Sequence, residues 1–103
     1  MSEHSFETRE ADGTALRVVT GWEPQRRGFH LSIARGQRTV FDQRVVGGAA
    51  SRRDFAKMIE LLDTFGISLP RSMIDEVVMD GLCEVDDKRV QWKPDGTAVR
   101  QSA

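Results

Sequence analysis

Residues Leu16–Gly36 read LRVVTGWEPQRRGFHLSIARG, and this stretch decides the fold class. Leu16, Val18, Thr20 and Trp22 fall on one side of an extended chain while Arg17 and Val19 fall on the other, the period of two expected of a strand with one buried face. Glu23-Pro24-Gln25-Arg26-Arg27-Gly28 interrupts that period, because Pro24 has no backbone N–H and Gly28 tolerates unusual dihedrals. Phe29, Leu31 and Ile33 then alternate with His30, Ser32 and Ala34 until the chain turns at Gly36.

The same period continues outward on both sides. Phe6 to Glu10 is joined to the Leu16 run through Ala11-Asp12-Gly13-Thr14, where Asp-Gly supplies the positive φ of a tight hairpin. Thr39 to Val46 reads as a fourth strand, although Val40 and Phe41 point opposite ways, which implies either a bulge or partial cover of the second face.

Beyond residue 50 the period becomes helical. Ser51 can cap a helix beginning at Arg52, with Asp54 at its third position. Phe55, Met58, Ile59, Leu62 and Phe65 make one apolar stripe, and Gly66 is placed to end the helix in a left-handed conformation. Pro70 suits the first turn of a second helix, whose apolar face is Met73, Ile74, Val77 and Val78 and which Gly81 should stop. Cys83, Val85, Val90 and Trp92 around Asp86-Asp87-Lys88-Arg89 suggest a short hairpin ending at Pro94-Asp95-Gly96. Thr97 to Ala103 has no apolar pattern and reads as a frayed, disordered tail, and the first residues, His4 among them, read as a loose end.

The expectation is therefore one α+β domain over residues 1–103. A four-stranded antiparallel meander (5–46) precedes two helices packed on one face (51–81), a short hairpin (83–93) and a tail (97–103). A chain of 103 residues is one domain, because halves of about 50 would each lack a self-sufficient core. No apolar run approaches the roughly 20 residues of a membrane span and no signal peptide opens the chain, so the cytoplasm is the expected location. Cys83 is the sole cysteine, which excludes an internal disulfide, and it is expected to pack as a small apolar side chain.

Charge is sorted by position. Between Arg26 and Lys57 eight basic residues face Asp42 and Asp54, whereas between Met58 and Arg89 eight acidic residues face Arg71, Lys88 and Arg89. The near-zero total thus conceals two opposed regions, which can bind a partner or bind each other.

No constellation in the sequence names a reaction. His4, His30 and Cys83 are too dispersed for a structural zinc site, and Asp75-Glu76 and Asp86-Asp87 lack the ladder of a calcium loop, so a solvated helix face and a turn explain them. Cys83 with His30 is the one Cys-His pairing the fold could bring together, and no motif surrounds either. Gly47-Gly48-Ala49-Ala50-Ser51 before a helix is similar to an anion-binding turn, but it lacks the lysine of a Walker loop and the third glycine of a dinucleotide fingerprint. Arg52 and Arg53 occupy a first helical turn, where the helix dipole disfavours cations, and that conflict points to a bound anion or an acidic partner surface. Trp22 either packs in the core or stands exposed beside Arg26 and Arg27 as a recognition corner. His30 should lie on the open face of the sheet, where stacking on a base is conceivable.

Gly21-Trp22-Glu23-Pro24, Gly28-Phe29, Phe65-Gly66-Ile67 and Leu69-Pro70 together resemble a group of small uncharacterised proteobacterial proteins associated with plasmids and other mobile elements. That resemblance spans roughly residues 15 to 93 and implies a bacterial accessory protein, with no activity to carry over. The meander followed by a helix is also similar to one repeat of the purine-rich single-strand binding fold, a likeness that dimerisation would complete.

Two functions follow as expectations. The first is a non-enzymatic protein-binding or self-associating module, a homodimer being one form of it, that needs no cofactor, metal or membrane. The alternative is single-stranded nucleic-acid binding through Arg17, Arg26, Arg27, Arg35, Arg38 and Arg44, with Trp22 or His30 stacking and Arg52 and Arg53 adding charge.

Overall fold

The structure, a computed structural model, describes residues 1–44 and 52–101, with side chains at 1–42 and 55–100. β1 (Ser2–Arg9) and β2 (Ala15–Glu23) form an antiparallel hairpin. Its turn follows from Asp12-Gly13-Thr14: the Thr14 N–H donates to Asp12 Oδ1 at 2.9 Å, and Gly13 takes φ +90°. β3 (Gly28–Arg35) and β4 (Arg38–Arg44) continue the meander. In β4 the ambiguity at Val40-Phe41 resolves as a bulge. Phe41 lies opposite Ile33 and Thr39 opposite Ala34, so Val40 is the extra residue and both apolar side chains pack against the core.

α1 (Arg52–Thr64) and α2 (Arg71–Leu82) cover one face of the sheet. Phe55 of α1 meets Phe29 of β3 edge to face, with ring centroids 5.2 Å apart. α1 ends as its sequence predicts. Gly66 adopts φ +72°, its N–H bonds the Asp63 carbonyl, and the Ile67 N–H reaches the Leu62 carbonyl, while buried Ile67 and Leu62 close the apolar contact of that motif. α2 does not stop at Gly81, which is buried within the helix. The same pair of capping bonds occurs one turn later, from Glu84 N–H to Gly81 and from Val85 N–H to Asp80, so Glu84 holds the left-handed position at φ +51°. Cys83 is exposed at that helix end, contrary to the expected packing role.

The C-terminal segment differs most from the sequence reading. Its hairpin is β5 (Lys88–Trp92) and β6 (Ala98–Gln101), turning at Lys93–Thr97 and not at Asp86–Arg89, so the expected tail contributes a strand. The two strands extend the meander into one six-stranded sheet of order β4-β3-β2-β1-β5-β6, with β5 parallel to β1. β1 is therefore central and begins at Ser2, so His4 lies in the interior and not on a loose end. Phe6, Leu16, Val18, Trp22, Phe29, Leu31, Ile33, Val90 and Trp92 face the helices, each burial contributing roughly 1.5–3 kcal/mol. No helix among the described residues is long and apolar enough to cross a membrane.

Candidate functional site

Two polar clusters flank β1, one on each side of the sheet. The inner one is a chain of hydrogen bonds. Trp92 Nε1–H donates to His4 Nδ1 at 2.9 Å, and because an indole N–H can only donate, the His4 proton resides on Nε2. That proton is donated to Asp80 Oδ2 at 2.5 Å. Asp80 Oδ1 accepts from Lys88 Nζ at 2.8 Å, Lys88 lies 3.0 Å from Glu76, and Glu76 receives both terminal nitrogens of Arg100. The chain thus runs from the wholly buried His4 to solvent at Arg100.

Each charge in this chain is set by its neighbours. Burial pushes the Asp80 carboxyl up, but the bonds from His4 and Lys88 together outweigh it and hold the group below its usual range. Burial likewise works against the Lys88 ammonium, and the bonds to Asp80 and Glu76 raise it nonetheless. The Arg100 guanidinium, followed by Lys88, lowers Glu76 to about 2. Trp92 and Asp80 occupy both ring nitrogens of His4, and the cluster ties β1, α2 and β5 together.

The outer cluster lies on the face that neither α1 nor α2 covers. Register places Glu3 opposite Arg89, Ser5 opposite Gln91, and Glu7 opposite Arg17, so three neighbouring strands present six polar side chains to one side. Together with Phe6 and Val90 they line a basin of about 310 Å³. Arg89 Nε pairs with Glu3 at 3.2 Å. Ser5, Glu7, Arg17 and Gln91, in contrast, have no side-chain hydrogen bond or ion pair among the described residues. Ser5 is the short residue at the centre, and the longer side chains around it form the walls.

Of the residues singled out from sequence, Arg17 alone lines this basin. His30 is on the same face as expected, but it is only 9 % exposed, because its Nε2–H crosses Gly21 to donate to the Ser2 carbonyl at 2.9 Å. A Cβ at Gly21 would fall 2.1 Å from that carbonyl oxygen, which accounts for glycine there. Trp22 is buried at 1 % exposure against Phe29, and its indole N–H has no partner among the described residues, so it forms no exposed corner.

The arginines do not converge. Arg26 and Arg27 sit in the β2–β3 loop, where Arg27 pairs with Glu84 at 2.6 Å and Arg26 lies 3.9 Å from Glu23. Arg35, which ends β3, and the exposed Arg38, which opens β4, sit at the other end of β3, roughly 25 Å away, and Arg35 pairs with Glu10 at 2.8 Å. Arg44 closes β4, and Arg52 and Arg53 open α1, but their side chains lie outside the described residues, as does the turn at Gly47–Ser51. The opposed charge regions meet at the exposed Arg27–Glu84 pair, whereas Lys88–Glu76 lies within the acidic region itself. Among the described residues no three His, Cys, Asp or Glu side chains gather as metal ligands.

No known protein-family model, curated protein or solved structure matches this chain.

Proposed function

We propose that the chain is a non-enzymatic module that docks a protein partner on the uncovered face of its sheet. The observation that carries this reading is the asymmetry of the sheet: one face is closed by two helices, while the other presents Ser5, Glu7, Arg17 and Gln91, unpartnered among the described residues, on central strands. Polar groups held on rigid strands lose little freedom when a partner engages them. The dispersal of Arg26, Arg27, Arg35 and Arg38 to opposite ends of β3, with Arg27 and Arg35 paired to carboxylates, weighs against the nucleic-acid alternative. Burial of Trp22 removes one of its stacking groups.

The test combines sedimentation at low and high salt with hydrogen exchange. Self-association, or a purified partner, that protects backbone amides of β1, β2 and β5 supports the proposal. A strict monomer at both salts, whose captured partners protect only the helices, refutes it. Oligonucleotide binding whose log affinity falls with log salt at a slope near about −3 would favour the alternative instead.

A further inference from the structure

We propose that the basin around Ser5 binds a small zwitterion of the α-amino acid kind, its carboxylate on Arg17 and its ammonium on Glu7. Glu7 and Arg17 are direct cross-strand neighbours of opposite charge, yet they form no ion pair with each other, and the basin opens beside both. Directly opposed side chains of an antiparallel pair stand about 5 Å apart at their Cβ atoms. An α-amino acid carries its two charges on one carbon, so both charged ends can be reached at once from one position over the pair.

The charge balance of the lining selects the ligand. Glu3 and Glu7 against Arg17 and Arg89 sum to zero. A lone anion drawn to Arg17 meets two carboxylates, and a lone cation drawn to Glu7 meets two guanidinium groups, whereas a zwitterion satisfies both signs. A guanidinium takes a carboxylate through two parallel N–H bonds, which fixes the orientation. The Ser5 hydroxyl and the Gln91 amide, opposite each other across β1 and β5, offer a donor and an acceptor between the charges. The volume of about 310 Å³ corresponds to roughly ten waters, hence to a ligand of about ten non-hydrogen atoms. The site uses the same Ser5, Glu7, Arg17 and Gln91 as the proposed docking face but does not rest on that reading, and the titration below tests it with no partner present, so failure of one is distinguishable from failure of the other.

The experiment is a two-dimensional amide NMR titration of the whole chain with glycine and with L-glutamine, alongside acetate and methylammonium as the separated halves. Saturable shifts centred on Ser5, Glu7, Arg17 and Gln91, with a Kd on the order of 1 mM for at least one of the two amino acids, are expected. Arg17→Gln and Glu7→Gln, both at exposed positions, should each weaken binding about tenfold or more while leaving the remaining spectrum in place. Absence of saturable shifts with both amino acids overturns the proposal. So does saturation by acetate or methylammonium alone at equal affinity, or binding that both substitutions leave unchanged.

Discussion

On the inner side of β1, His4 is enclosed with both ring nitrogens bonded and its partners bonded in turn out to Arg100, whereas on the outer side Ser5 and Glu7 have no side-chain hydrogen bond or ion pair among the described residues. The two sets alternate along one strand, so backbone geometry does not distinguish them. Surroundings do. Where α2 and Trp92 exclude water, an unpaired polar group would cost the full desolvation of that group, and the fold supplies a partner for each member of the chain. Where solvent reaches the sheet, water satisfies the same kinds of group at little cost, and they remain available to something else.

If that contrast is right, its largest expression is Asp80→Ala. Removal of this carboxylate leaves Lys88 and the His4 N–H without their shared acceptor, and a loss of about 3–5 kcal/mol is expected by urea unfolding. A loss below about 1 kcal/mol would mean that the inner chain is no better organised than a surface cluster.

The two tryptophans sharpen the comparison at a smaller scale. Trp92→Phe should cost about 1–3 kcal/mol through the orphaned His4 Nδ1 in addition to lost volume. Trp22→Phe loses similar volume but removes an indole N–H that has no partner among the described residues, so its cost in the same assay should be smaller.

Acid should act on the inner side first. Glu76 is held at about 2 in the folded protein against an ordinary value of 4.5, so it binds its proton more readily in the unfolded chain. Its contribution to stability is complete above pH 4.5 and is lost as pH falls toward about 2. Asp80, also lowered, acts in the same sense. Arg100→Gln removes the main cause at Glu76, and acid titrations of its unfolding free energy should be shallower over that window. An unchanged slope would contradict the assignment.

The smallest effects belong to the outer side. Glu7→Gln and Arg17→Gln should each change unfolding free energy by no more than about 0.5 kcal/mol, because both side chains are exposed and unpartnered among the described residues. A loss of 2 kcal/mol at either position would show that the uncovered face is part of the folding core and would collapse the contrast between the two sides.

Much of the architecture was legible in the amino-acid order because it rests on local physics. The alternation of Leu16 to Trp22 and of Phe29 to Ile33, the apolar stripe of α1 and the Gly66 cap each act within a few residues of themselves. The last hairpin carried a readable signal that its tail-like composition obscured. Asp95-Gly96-Thr97 repeats the Asp12-Gly13-Thr14 turn, with Gly96 at φ +89° and the Thr97 N–H bonded to Asp95 Oδ1 at 2.9 Å. At the other end, the alternation of His4 with Phe6 is the signal that the loose-end reading missed, since it puts the imidazole on the inner face.

The remainder depends on partners distant in sequence. His4 and Trp92 are 88 residues apart and His4 and Asp80 are 76 apart, so no local pattern can announce that they meet. Likewise Arg17 stood out as one arginine among many, and only the placement of β5 beside β1 gathered Ser5, Glu7, Gln91 and Arg89 around it. The sequence by itself determined which segments are strands or helices and which side of most of them is apolar, since periodicity and turn chemistry are properties of neighbouring residues. Tertiary structure alone decided which polar side chains are sealed and tied and which stand free, because that depends on what lies across the sheet.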